Sequence, residues 1–87
     1  MYNNYMFFKE NLATLRKNKN LSQNDLSKKL CVKRYNISDW EQGRSEPPIE
    51  MLCKISNFFG YSTDDLLNYN LSIMKKDDIN FCKLNSR

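Results

Sequence analysis

The chain has no histidine, only two glycines and two prolines, one tryptophan, and no apolar run that approaches membrane-spanning length. Each shortage removes a class of function. Without histidine a mixed Cys/His metal site is excluded, and the three cysteines, Cys31, Cys53 and Cys82, are an odd number at spacings that suit no common zinc site. Reduced, unpaired thiols are expected. The scarcity of glycine leaves no Gly-rich phosphate loop, and the carboxylates are spread over capping and surface positions, so neither an enzyme nor a cofactor or metal site is expected. The start, MYNNYMFFKEN, lacks the basic-then-apolar order of a secretory signal. The expected location is the cytoplasm, with no membrane contact.

What is present fits one small soluble domain. The chain has 87 residues, 28% charged and 40% apolar, which leaves little room for a second core. The net charge of +4 is unevenly spread: residues 1–20 carry +3, residues 21–44 carry +2, residues 45–70 carry −3 and residues 71–87 carry +2. Positive charge therefore belongs mainly to the first half, which suits a nucleic-acid face there and another role elsewhere.

Helical periodicity dominates from Phe7 onward. Phe8, Leu12 and Leu15 form one stripe in a helix near 7–19, whose basic end suits the helix dipole and whose Asn20 suits a left-handed stop. Ser22 with Asp25 reads as a capping box for a second helix, 23–30. A third helix, 34–41, is closed by Gly43, and Pro47-Pro48 separates it from a fourth, 49–59, which carries Leu52, Ile55 and Phe59 on one side. Gly60 ends that helix, and Ser62 with Asp65 reads as a second capping box for a fifth, 63–68. The predicted core is Leu12, Leu15, Leu26, Leu30, Ile37, Trp40, Leu52, Ile55, Phe59 and Leu66. Residues 1–6 are expected to fray, and 69–87 form a tail in which 79–84 alternates like a short strand.

The organising stretch is Gln23 to Glu41, QNDLSKKLCVKRYNISDWE, in which two helices are joined by Cys31-Val32-Lys33. A link that short forces a steep crossing, and Ser27 is small where the second helix passes over the first. With Gln23, Leu26, Ser27, Leu30, Val32, Ile37, Trp40 and then Glu41-Gln42-Gly43-Arg44, the chain resembles the helix-turn-helix of phage-repressor and Cro-like regulators, the XRE-type DNA-binding family. The resemblance covers roughly residues 8–68 and implies an all-α, five-helix, lambda-repressor-like domain over 7–68. Two positions depart from the family pattern. Cys31 stands where glycine is usual in the turn, and Lys33 stands where Ser or Thr usually caps the next helix.

The resemblance implies a regulator of transcription that reads double-stranded DNA with helix 34–41 in the major groove. Arg34 would pair with guanine, Asn36 with adenine and Asp39 with cytosine, while Tyr35 would meet a thymine methyl or a phosphate; Lys33 would reach base or backbone from the flank. Gln23 and the Gln42-Gly43-Arg44 turn look like the family's two phosphate clamps. Arg16 and Glu41 look like its brace between the first helix and the recognition helix. The family works as dimers, and Tyr61, Leu67, Tyr69, Leu71 and Ile73 are the candidate dimer surface because they exceed what a small core can use. A repressor acting by promoter occupancy is the first expectation, and the small restriction-modification controllers are a specific version of it. An antitoxin-like subunit, whose tail holds a protein partner while the helix-turn-helix autoregulates, is the alternative. A third is a redox switch at Cys31, beside the basic Lys33 and Arg34.

Overall fold

The computed structural model describes residues 7–71, and its first helix, α1 (Phe8–Asn18), buries the stripe read from the sequence, Phe8, Leu12 and Leu15. Arg16 and Lys17 lie in its last turn, where cations complement the dipole, and Asn20 takes the left-handed conformation, φ 59°, that stops it. Helix α2 (Gln23–Leu30) starts from a complete capping box. The Ser22 hydroxyl accepts from the Asp25 N–H, and the Asp25 carboxylate accepts from the Ser22 N–H, both at 2.9 Å. Helices α3 (Arg34–Gln42), α4 (Ile49–Phe59) and α5 (Thr63–Asn68) follow, within a residue or two of the predicted bounds.

The second expected capping box is only half made. Ser62 accepts from the Asp65 N–H at 3.0 Å, but Asp65 is buried, and its Oδ2 has no hydrogen-bond partner among the described residues. Facing the packed side of α5 takes that carboxylate away from the Ser62 amide.

Helix α2 packs against α3, α1 packs against both α3 and α5, and α4 closes on α5. At 6 to 11 residues none of these helices would persist alone in water, so burial has to hold them. All ten predicted core residues are buried, joined by Phe8 and Leu71. Burying each such aliphatic side chain contributes roughly 1.5–3 kcal/mol.

Leu71 corrects an expectation. It was placed on an exposed dimer surface, yet it is buried in the core, and its N–H donates to Asn11 Oδ1 at 2.9 Å. The cause is Asn11, which is fully buried on α1; its Nδ2 donates to the carbonyls of Leu66 and Tyr69, both at 2.7 Å. One amide thus satisfies carbonyls that α5 leaves open at its end and draws the following segment onto the core. The packed domain therefore extends past residue 68, through Leu71. Tyr61 and Leu67 are half-buried against the same core, leaving Tyr69, 41% exposed, as the accessible member of that set. Ile73, residues 1–6, the strand-like 79–84 and the rest of the tail lie outside the described residues.

Candidate nucleic-acid interface

The turn that aims α3 is built by the backbone despite its unusual residues. Cys31 takes φ 60° and ψ 43°, the left-handed geometry that glycine adopts without steric cost. Its N–H reaches Lys28 O at 3.3 Å and the Val32 N–H reaches Ser27 O at 2.9 Å, a pair of bonds that closes α2. From α4, the Lys54 ammonium adds a 2.8 Å bond to Leu30 O. Ser27 is buried, as a close helix contact requires, and turns its hydroxyl back to Asn24 O at 2.7 Å. Lys33 is the N-cap residue of α3 and offers no side-chain acceptor, so the first amides of α3 have no side-chain cap.

Helix α3 divides cleanly into two sides. Ile37 and Trp40 are buried. Arg34 and Tyr35 are exposed, Tyr35 to 58%; Lys33 is exposed on the flank, and Asn36 and Asp39 are half-buried. A helix anchored by its buried side presents a fixed row of donors and acceptors on the other.

The residues assigned to phosphate and to bases are not independent. Arg16 makes a two-pronged contact with Glu41, Nε to Oε2 at 2.7 Å and Nη2 to Oε1 at 3.1 Å, and its Nη1 donates to Leu21 O at 2.7 Å. The hydrogen bond and charge of Glu41 hold the Arg16 pKa above its ordinary value, against partial burial. Gln23 Nε2 also donates to Glu41 Oε1 at 3.1 Å, while Gln23 Oε1 accepts from Arg34 Nη1 at 3.4 Å. A polar chain therefore runs from Arg16 in α1 through Glu41 and Gln23 to Arg34, the first residue of α3.

A second clip closes the other end of α3. Arg44 Nε meets Asp39 Oδ1 at 3.1 Å, Arg44 Nη1 meets Gln42 Oε1 at 2.6 Å, and the Arg44 N–H donates to Asp39 O at 2.9 Å. Asp39 thereby has a cationic neighbour at the exposed end of α3. Gly43, at φ 76°, lets the chain turn between Gln42 and Arg44. Sequence spacing gave no sign of the bonds from Gln23 to Glu41 and Arg34, or that Lys9 of α1 lies across Gly43: an added Cβ there would sit 3.1 Å from Lys9 Cδ. Only tertiary packing brings these residues together. Among the described residues no group of carboxylates and thiols could hold a metal ion, and no helix is long and apolar enough to cross a membrane.

Comparison with known proteins agrees with this geometry. A helix-turn-helix family profile matches residues 12–66. Over 63 residues the chain is 46% identical to the HTH-type transcriptional activator BcrR of Enterococcus faecalis, covering 72% of this chain but 31% of that protein. It is 42% identical over 50 residues to an uncharacterised HTH-type transcriptional regulator of Methanocaldococcus jannaschii, 58% of this chain and 76% of the other. The crystal structure of a transcriptional regulator from Listeria innocua superposes with a TM-score of 0.67 at 23% identity, over 91% of this chain and 88% of the other, and shows the shared fold. With the lambda-repressor-like arrangement of five helices, the paired α2 and α3, and the profile match on the page, the chain belongs to the XRE-type helix-turn-helix family.

Proposed function

We propose that the protein is a sequence-specific, double-stranded-DNA-binding regulator of transcription that reads the major groove with α3. The observation that carries this reading is the division of α3: Ile37 and Trp40 are locked in the core while Arg34, Tyr35, Asn36 and Asp39 line the other side. Arg34 and Asn36 have the fork geometries that match guanine and adenine edges, and Asp39 matches the amino group of cytosine. The polar chain through Gln23 and the clip at Arg44 stand at the two ends of this row, where backbone phosphates flank a groove-bound helix. Lys33 adds charge beside it.

One α3 offers few base contacts, so the reading includes a homodimer on two half-sites about 34 Å apart. Repression by occupying a promoter asks for nothing beyond the DNA-binding domain, and it is the sign of regulation we favour. The test is selection of the full chain on a randomised duplex pool followed by sequencing. Recovery of an inverted repeat with half-sites near one helical turn apart supports a dimeric sequence reader. Recovery of no motif, with weak binding that fades steeply as salt rises, refutes it.

A further inference from the structure

The turn that closes α3 carries one positive charge that the described residues leave uncommitted. Arg44 is held by Asp39 and Gln42 and must leave them to meet a phosphate. Lys9 is different. It projects from the first turn of α1, is exposed, and forms no ion pair among the described residues. Yet its position is defined: the point where a Cβ on Gly43 would lie is 3.1 Å from Lys9 Cδ, 3.9 Å from Cε and 3.7 Å from Nζ. The stem lies along the glycine and the ammonium stops at the turn. The C-terminal end of α3 is the negative pole of its helix dipole and attracts a cation to that place, and the absence of a side chain at Gly43 leaves the room.

We propose that Lys9 is a phosphate anchor of the DNA interface, presented from α1 across Gly43. The inference rests on the DNA-binding reading and adds a contact to it. A phosphate that approaches the Gln42-Gly43-Arg44 turn meets Arg44, which gives up its bonds to Asp39 and Gln42 to reach it, and the Lys9 ammonium, which gives up no ion pair among the described residues. Such a contact carries no base information, so it strengthens binding to every sequence alike. Because each neutralised phosphate releases condensed counterions, Lys9 has a measurable signature in the salt dependence of binding.

The experiment is a sodium chloride titration of binding to one fixed 24-base-pair duplex of arbitrary sequence, with full-length wild type, Lys9→Gln and Lys9→Arg, alongside thermal melting of each. The expected result is that Lys9→Gln weakens binding and makes the slope of log K against log salt shallower by about 0.9, while Lys9→Arg keeps the wild-type slope and all three melt alike. An unchanged slope in Lys9→Gln overturns the proposal. A lower melting temperature with an unchanged slope also overturns it, and makes Lys9 only a counter-charge to the end of α3. If folded wild type shows no salt-dependent binding to duplex, the DNA reading itself fails and this inference falls with it, an outcome the wild-type arm alone identifies.

Discussion

Asn11 and Arg34 are both polar residues on short helices, and the two ends of the molecule they serve follow opposite rules. On the α1–α5 side, Asn11 is fully buried and spends its amide on three backbone partners at 2.7, 2.7 and 2.9 Å. On the α3 side, Arg34 is exposed and touches Gln23 at 3.4 Å, while Arg44, its side chain 59% exposed, holds Asp39 at 3.1 Å. Contacts of that kind contribute little to stability, because water competes for both partners. A buried bond fixes the scaffold, and an exposed one only poses a side chain until a better partner arrives. Arg16 and Glu41 join the two regions, with side-chain exposures of 11% and 7%.

The sharpest way to break the contrast is Asn11→Ala. It leaves the Leu66 and Tyr69 carbonyls and the Leu71 amide without partners, at roughly 3 kcal/mol in total. For a domain of this size that is a fall in Tm of about 15 °C. Urea or thermal unfolding measures it, and a loss below about 1 kcal/mol would mean that the clamp is not what holds residues 69–71 to the core.

That clamp also marks where the sequence stops being legible. The apolar stripes, the first capping box, the left-handed Asn20 and the glycine stops could all be read, because each is a local pattern within a turn or two of helix. Leu71 could not be, since an exposed and a buried leucine look alike until Asn11 is known to point inward. The same limit applies at the interface. Which residues face outward on α3 followed from the positions of Ile37 and Trp40, but the links from Gln23 to Arg34 and from Lys9 to Gly43 join distant parts of the chain. Asp65 misled for a related reason: its spacing from Ser62 fits a capping box, and burial of its side chain overrode the spacing.

A smaller effect sharpens the comparison from the interface side. Cys31→Gly removes a Cβ from left-handed backbone at the turn that aims α3, so the variant should be more stable by about 1 kcal/mol. A rise in Tm of about 5 °C with unchanged DNA binding is expected. Destabilisation would show that the Cys31 side chain is packed usefully and that the turn is unstrained.

The smallest expected effect is acid dependence at Asp25. Its pKa is lowered from the ordinary 3.8, first by the hydrogen bond from the Ser22 N–H and then by the Ser22 hydroxyl. A carboxyl whose pKa is lower folded than unfolded gives stability above the unfolded value, and that gain is lost as pH falls through the folded value. Asp25→Asn should therefore flatten the decline of Tm as pH falls below about 4 without changing the fold. The same decline in the variant would place the acid sensitivity elsewhere.

The central claim is that Arg34 reads bases while Arg44 holds backbone, and one measurement separates the two. Wild type, Arg34→Ala and Arg44→Ala are titrated against the selected duplex and against a scrambled duplex of equal length at one salt concentration. The account predicts that Arg34→Ala loses about 1–3 kcal/mol of discrimination between the duplexes, whereas Arg44→Ala weakens both and leaves their ratio unchanged. Equal loss on both duplexes for Arg34→Ala would contradict the account and move sequence reading away from the start of α3.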